Sequence, residues 1–366
     1  MSAHILSLST ANPPMAWAQD DIAKKMIDLF SLEEEKAISL QQMYQNSAIG
    51  YRYSVIDDST PEREHRNFFG DNAQKTKPGM YQRNEIYKKE APVFAHTAAL
   101  KAIELWGGSP SEITHVISVS CTGVMAPGIE FQLIESLNLN RTVFRLGINF
   151  MGCFGAFKGL QAANAFAKEC PSHRILLVCT ELCSLHFQTD LTQDILLANT
   201  LFSDGIAATV VGSDPRPYEK PLFSIVAQKS LAIDNSLDKM SWEAGDHGFF
   251  MKLSSFVPAH IKKHIEKLVS PLLENNTSID ECDWAVHPGG KSIIQAIERA
   301  LKLDQKQTAA AWETLWNYGN MSSATFLFVL DNIIRCKTDK LWTAGLGFGP
   351  GLSLEGILLR KNQDNG

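Results

Sequence analysis

The sequence has 366 residues, of which 45% are hydrophobic and 20% are charged. This composition is typical of a globular protein and excludes a disordered or fibrous chain. The formal net charge of −6 argues against a nucleic-acid binder, which normally carries a basic surplus.

The start of the chain, MSAHILSLSTANPP, lacks the basic segment that begins a signal peptide. No stretch approaches the run of about 18 apolar residues that predicts a membrane span. The seven cysteines are an odd number, spread along the chain without a Cys-x-x-Cys pair, so we predict reduced thiols. We therefore expect a cytosolic protein that binds neither a membrane nor a nucleic acid.

Short β-branched segments alternate with helical patterns, which predicts a layered α/β protein without a linker between its halves. The polar segment 30–72 is predicted to be helical, without strands, and to cap the core. We predict strands at 115–120, 174–179, 207–212 and 283–286, and helices at 157–167, 255–273, 291–302 and 322–334.

His260 and His264 have the spacing of two metal ligands on one helix face. The intervening residues include two lysines and no glutamate, and these cations would repel a metal ion. We therefore predict a solvated helix surface there, and no metal site.

Cys153 lies among small residues in Met-Gly-Cys-Phe-Gly, directly before a predicted helix. A helix N-terminus stabilises a thiolate, so a nucleophile with a lowered pKa is expected here. The alternative is a buried structural cysteine, the commonest fate of a free thiol.

Two further residues match such a nucleophile. His287 follows an apolar strand and begins His-Pro-Gly-Gly, a turn that would point it into a cleft, although a hydrogen bond to a loop carbonyl is the alternative. Asn320 precedes an apolar helix, where an N-cap is the alternative. Together, a thiol, an imidazole and an amide suffice for acyl transfer through an oxyanion.

The segment GFGPGL at 347–352 is followed by an alternating, strand-like pattern. A glycine loop that binds phosphate would instead lead into a helix. We therefore predict a tight loop whose glycines let the backbone pass close to other residues.

At these residues the sequence resembles the chalcone synthase-type, or type III, polyketide synthases, from ILSLSTANPP near the start to GFGPGLSLEG near the end. The most specific motifs are Gly-Cys-Phe at 152–154, HPGG at 287–290, GNMSSA at 319–324 and GFGPGL. The segment Phe-Gly-Ala-Phe directly after Cys153 is closer to bacterial than to plant members of the family.

The resemblance implies a thiolase fold, with two pseudo-symmetric βαβαβαββ halves in αβαβα layers, which we place at residues 1–213 and 214–366. It implies a homodimer whose Cys153 holds the starter acyl group and the growing chain. His287 and Asn320 would stabilise the enolate and the oxyanion. The substrates would be a starter acyl-CoA and malonyl-CoA, with no cofactor.

The resemblance also implies a substrate pocket. Phe202 matches a phenylalanine that gates the passage between CoA tunnel and pocket, with a core aromatic as the alternative. A second gating position falls on Met251, next to Phe250. The other residues assigned to the pocket are Cys121 and Cys183, which resemble some bacterial members and could equally be small packing residues, and Gly349 and Pro350 of the glycine loop.

One departure from the family pattern concerns charge. Plant members have basic residues for the CoA phosphates where this chain has Ser39, Gln42 and Asn46. The cations that could substitute are Lys24, Lys25 and Arg52.

Three competing functions remain open from the sequence. A β-ketoacyl-acyl-carrier-protein synthase III-like enzyme uses the same three residues on the same fold, although the GFGPGL loop and the chain length favour a polyketide synthase. A Cys-His-Asn hydrolase would only hydrolyse its substrates. A non-catalytic scaffold would form no acyl-enzyme.

Overall fold

The computed structural model describes residues 2–56 and 77–362. The strands in these residues are β1 Ala3–Ala11, β2 Met15–Ala18, β3 Tyr51–Ser54, β4 His115–Ser120, β5 Phe144–Asn149, β6 Arg174–Leu182, β7 Asp204–Ser213, β8 Phe223–Ala232, β9 Met240–Gly245, β10 Gly248–Leu253, β11 Cys282–Val286, β12 Trp342–Gly349 and β13 Ser353–Lys361. The α-helices are α1 Gln19–Phe30, α2 Glu34–Gln45, α3 Met80–Trp106, α4 Ile129–Ser136, α5 Gly155–Glu169, α6 Gln193–Leu201, α7 Val257–Leu273, α8 Lys291–Leu301, α9 Ala309–Tyr318 and α10 Thr325–Cys336.

The predicted strands and helices are confirmed, with ends that shift by a few residues. The prediction for 30–72 is partly wrong, because β3 lies inside it and pairs with β2 as a small separate sheet. Strand formation there depends on a partner distant in sequence, which local pattern cannot reveal. Positions 57–72 of that segment lie outside the described residues.

Within the described residues, nine strands form the main sheet, in the order β11-β12-β13-β8-β1-β7-β6-β4-β5. Both halves show the same pairing scheme. In the N-terminal half β1 is antiparallel to β7, β7 is antiparallel to β6, and β6 is parallel to β4. In the C-terminal half β8 is antiparallel to β13, β13 is antiparallel to β12, and β12 is parallel to β11. The halves meet where β1 pairs with β8, Ala3 opposite Ile225. The predicted pseudo-symmetry is present, although residues 214–362 contribute four strands to this sheet and the N-terminal half contributes five.

Helices α5 and α10 hold equivalent places in the two halves, since each enters the core just before the half's penultimate strand. Their aromatic rings meet, with the centroids of Phe157 and Phe326 4.1 Å apart. Each helix is preceded by a one-turn 3₁₀ helix, at Gly152–Phe154 and at Ser322–Ala324. The two helix starts therefore come together at the middle of the molecule.

Strand β6 shows how the layers form. All nine of its residues are buried, as expected for a strand covered on both faces. Ile175 and Leu177 belong to the core cluster that contains α5 and α10, while Leu176 and Val178 belong to the cluster beneath α3 and α4. Because consecutive side chains point to opposite faces, this half of the sheet is sandwiched between two helical layers.

No helix in the ranges 2–56 and 77–362 is both long and apolar enough to cross a membrane.

Candidate active site

Cys153 lies in the 3₁₀ turn that leads directly into α5, so its thiol is at a helix start, as predicted. Gly152 has a φ of 69°, and a Cβ there would lie 2.4 Å from Cδ of Pro350. A Cβ on Gly349 would lie 2.5 Å from Cδ1 of Phe154. The GFGPGL loop therefore packs against the turn that carries the thiol, which explains why glycine is needed at both contact positions.

Asn320 lies between Cys153 of the N-terminal half and Gly289 of the C-terminal half. Its side-chain oxygen accepts a hydrogen bond from the Ser322 backbone N–H at 2.9 Å, which fixes the second 3₁₀ turn. Its Nδ2 donates to the Gly289 carbonyl at 3.4 Å and lies 3.8 Å from the Cys153 sulfur. The N-cap of α10 is Ala324, so Asn320 is not the helix cap that was the alternative interpretation.

His287 follows β11, and its backbone N–H donates to the Leu346 carbonyl at 2.8 Å. The side chain is 1% exposed, yet neither ring nitrogen has a hydrogen-bond partner among the described residues. The loop-carbonyl bond of the alternative interpretation is therefore not made. Buried polar atoms are nearly always satisfied in folded proteins, so these nitrogens point to a ligand.

Burial sets the protonation of both groups. Loss of solvation lowers the pKa of His287 to about 3 and raises the pKa of Cys153 to about 11, although hydrogen bonds from Asn320 and Ser322 oppose the rise. The predicted lowering of the thiol pKa is therefore wrong for the substrate-free site. A neutral imidazole gives no charge to stabilise a thiolate, and burial outweighs the hydrogen bonds at the Cys153 sulfur.

The three residues line one cavity of about 490 Å³. Its innermost lining residues are buried, whereas Asn46, Ser255 and Ser292 are exposed, so the cavity leads from solvent to the sulfur. The full lining comprises Met43, Asn46, Ser47, Cys153, Leu197, Thr200, Leu201, Phe202, Met240, Met251, Leu253, Ser254, Ser255, Val257, Pro258, His287, Gly289, Gly290, Lys291, Ser292, Ile293, Gln295, Asn320 and Phe348.

Phe202 and Met251 both line this cavity, and their gating role stays a prediction. Phe202 is only half-buried, with its ring centroid 6.2 Å from that of Trp242, so it is not a core aromatic. Phe250 does not line the cavity; a Cβ on Gly245 across the β9–β10 hairpin would lie 2.4 Å from its ring. Met251 is therefore the better choice of the two neighbours.

Four other predicted pocket residues do not line this cavity: Cys121, Cys183, Gly349 and Pro350. Both cysteines are buried, and the sulfur of Cys121 lies 3.3 Å from the hydroxyl of Ser322. The glycine-loop residues support the nucleophile turn from outside. Their positions in the sequence did not reveal whether these four residues face the cavity.

Sequence reasoning missed Glu181, a fully buried carboxyl behind the site. It accepts hydrogen bonds from the Cys121 backbone N–H at 3.1 Å, from the Thr122 hydroxyl at 2.9 Å and from the Ser323 hydroxyl. Burial raises its pKa above the ordinary value despite these donors. A glutamate close behind the apolar run 175–179, inside a fully buried strand, was the one local signal that could have drawn attention to it.

Two pseudo-symmetric α/β halves, with a cysteine at the start of a central helix and a histidine and an asparagine from the other half, define a thiolase-like condensing enzyme. Family models for the N-terminal and C-terminal domains of chalcone and stilbene synthases match residues 1–215 and 224–362. The chain therefore belongs to the chalcone and stilbene synthase family, the type III polyketide synthases.

Individual proteins similar to this chain point to the same family. A Dictyostelium discoideum protein described as "Probable polyketide synthase 1" is 34% identical over 369 residues, which cover 98% of this chain but 11% of the relative. The C-terminal type III polyketide synthase domain of Steely1, a type I/III hybrid from Dictyostelium, superposes with a TM-score of 0.93 at 33% identity, over 99% of both chains. PKS-I of the brown alga Ectocarpus siliculosus gives 0.91 at 30%, over 99% of this chain and 98% of that one.

These findings establish the family. The chain is a member of the type III polyketide synthases, a family of decarboxylating and condensing acyltransferases that use acyl-CoA and malonyl-CoA. They do not favour the carrier-protein-dependent β-ketoacyl synthase.

Proposed function

We propose that Cys153, His287 and Asn320 are the catalytic residues, with an acyl-CoA as starter and malonyl-CoA as extender. One observation carries the proposal: the buried end of a single cavity brings together the thiol, a side-chain amide and an imidazole that has no hydrogen-bond partner in the part of the chain that the structure describes. These groups come from both halves of the fold, so the folded core determines their spacing.

The loading step starts from neutral groups, because the pKa of Cys153 is about 11 and that of His287 about 3. The unprotonated ring nitrogen of His287 takes the thiol proton while the sulfur attacks the starter carbonyl. The Asn320 amide donates to the oxyanion that develops. The bond from carbonyl carbon to CoA sulfur then breaks, and the CoA thiolate takes the proton from His287.

The extension step begins when malonyl-CoA loses its carboxylate as CO₂. The electron pair of the broken C–C bond becomes a thioester enolate, whose oxygen accepts hydrogen bonds from the imidazole N–H and the Asn320 amide. The enolate carbon attacks the Cys153 thioester, and the bond from its carbonyl carbon to the Cys153 sulfur breaks. The chain, now two carbons longer, is carried by CoA, and the released Cys153 thiolate takes a proton from solvent. These steps use CoA thioesters and require no further cofactor.

We further propose that the enzyme works as a homodimer joined along β5. This strand pairs only with β4 among the described residues, so its other edge is open. Phe144 on it is 70% exposed, and Phe150 and Met151 just after it are 44% and 38% exposed. An open edge with apolar side chains favours pairing with a second copy across a twofold axis.

Sedimentation would measure this assembly. The wild-type enzyme should sediment as a dimer at micromolar concentration, and Phe144→Lys should weaken the dimer. Phe256→Lys, at a similarly exposed position just before α7, serves as the control. A monomeric wild-type enzyme would refute the dimer.

For localisation we propose the cytosol, because all seven cysteines are free thiols, which suit a reducing compartment.

The test of the catalytic proposal is acyl-enzyme mass spectrometry followed by product analysis. Incubation with a panel of starter acyl-CoAs should add one acyl mass to the peptide that contains Cys153, and malonyl-CoA should then give extended products without a carrier protein. Cys153→Ala should show neither. Labelling of another residue, or hydrolysis as the only outcome, would contradict the assignment.

A further inference from the structure

We propose that Lys291 is the cation that binds the phosphate groups of the CoA substrates at the open end of the cavity. The inference rests on the proposed use of CoA thioesters. It assigns substrate recognition to α8, a different element from α2, where the family's basic positions fall.

The wall formed by α2 offers no positive charge. Met43, Asn46 and Ser47 are the residues that this wall presents to the cavity, and all three are uncharged. The last turn of α2 contains no basic residue. An anionic substrate that enters the cavity therefore needs a cation from another element.

The cations proposed from the sequence as substitutes have other partners. Arg52 is 8% exposed, and its guanidinium donates to the Gln19 side chain at 2.8 Å and to the Asn199 and Phe202 carbonyls at 2.6 and 2.9 Å. It is a structural residue beneath the cavity wall. The other two are Lys24, which pairs with Asp21 at 3.1 Å, and Lys25, which lies 3.7 Å from the ring centroid of Trp17.

Lys291 differs from all of these. Among the described residues that line the cavity it is the only one with a charged side chain, because His287 is neutral at physiological pH. It is half-buried, and no ion pair or hydrogen bond engages its ammonium group within the described residues. Its charge is therefore available to a ligand.

The position of Lys291 in the fold also favours an anionic ligand. Lys291 is the first residue of α8, an 11-residue helix with no acidic residue in its first turn. The free N–H groups and the dipole at such a start favour a phosphate. Ser292 and Gln295 lie on the same cavity wall and can donate further hydrogen bonds. His287 at the inner end, buried with both nitrogens unpartnered, independently indicates a ligand in this cavity.

The chemistry of CoA matches this arrangement. Its diphosphate and 3′-phosphate are the anionic part, and its pantetheine arm is uncharged and slender. An arm that reaches Cys153 through the cavity must leave its phosphates at the solvent end, where the charge of Lys291 lies. A single half-buried lysine gives a charge-assisted contact, so its removal should weaken CoA binding on the order of tenfold.

The test compares Lys291→Gln with wild type on three ligands: CoA, 3′-dephospho-CoA and pantetheine. Calorimetry should show about tenfold weaker binding of CoA to the variant, and no change for pantetheine, which has no phosphate. Lys291→Arg should retain most of the affinity. Lys262→Gln, an exposed lysine on α7, carries the same change in net charge and should behave as wild type.

The dephospho ligand identifies the phosphate. If the variant also binds it about tenfold more weakly, Lys291 holds the diphosphate; if the difference disappears, Lys291 holds the 3′-phosphate. Unchanged CoA affinity, or equal weakening for pantetheine, would overturn the proposal. Because binding is measured without turnover, failure here is distinguishable from failure of the proposed catalysis, which would appear as absent extension by the wild-type enzyme.

Discussion

Cys153→Ala should stop chain extension and still release CO₂ from malonyl-CoA at a measurable rate. Decarboxylation requires only that the enolate oxygen be stabilised, whereas extension also requires a nucleophile that holds the chain. His287→Ala and Asn320→Ala should fail at both steps, because each removes a donor to that oxygen. The two half-reactions thus separate the role of the sulfur from the roles of its neighbours.

The magnitude follows from the hydrogen bonds of Asn320. One N–H of its amide is held by the Gly289 carbonyl at 3.4 Å, and the weak contact to the Cys153 sulfur at 3.8 Å is one that a substrate oxygen can displace. Removal of one oxyanion donor costs about 10²–10³ in rate, roughly 3–4 kcal/mol. Because Asn320 is only 2% exposed, water cannot replace the donor well, so we expect the upper part of that range.

The assay is capture of radiolabelled CO₂ from carboxyl-labelled malonyl-CoA, with thermal unfolding of each variant in parallel. Asn332→Ala is the matched control, because Asn332 is also 2% exposed and donates to the Thr314 hydroxyl at 2.8 Å, outside the cavity lining. It should lower the unfolding temperature and keep CO₂ release. If Asn320→Ala decarboxylates and condenses like wild type, its amide only holds the 3₁₀ turn and the reasoning is refuted.

Four further results are expected. Alkylation of Cys153 in the free enzyme should accelerate about tenfold per pH unit from pH 7 to 10, since its pKa is about 11; mass spectrometry that shows a plateau near neutral pH would indicate a thiolate–imidazolium pair instead. Phe202→Ser should change starter preference or product length with little effect on CO₂ release, whereas uniform loss with a lower unfolding temperature would indicate packing. Burial lowers the pKa of His287 to about 3, so below about pH 6.5 the unfolded chain binds a proton at this residue that the folded chain does not, and the free energy of unfolding falls with pH. In urea titrations His287→Gln should reduce this fall by roughly 1.4 kcal/mol per pH unit. An unchanged dependence of the unfolding free energy on pH would contradict the burial argument. The Michaelis constant for malonyl-CoA should rise only weakly with salt, because the cavity offers just one cation whose attraction salt can screen. A steep rise would show that further basic residues take part.

The sequence was most informative where chemistry and turn residues coincide. The surroundings of Cys153, His287 and Asn320 combine glycines, strand ends and helix starts within a few positions. Local pattern therefore marked all three as candidates, the resemblance added their order along the chain, and the structure places them on one cavity. Strands such as β6 were predictable for the same reason, because continuous burial leaves a continuous apolar run.

The direction of individual side chains was not predictable. Phe250 and Met251 are adjacent, and only their alternation along β10 decides which of them faces the cavity. Glu181 was missed because its partners come from two other segments of the chain. Long-range packing brings such groups together, and no local window contains that information.

The pKa of the thiol is the most instructive difference, because the local environment and the folded environment act in opposite directions. A helix start lowers the pKa of Cys153, but full burial beside a neutral imidazole raises it to about 11. In the proposed loading step the neutral His287 takes the proton of this thiol and returns it to the CoA thiolate, so no extra proton remains on the imidazole for condensation. The Cys153 thiolate that condensation releases therefore takes its proton from solvent, to which the cavity connects the sulfur. Because the pKa of the thiol is about 11, Cys153 regains that proton at neutral pH, and each new loading step again starts from two neutral groups.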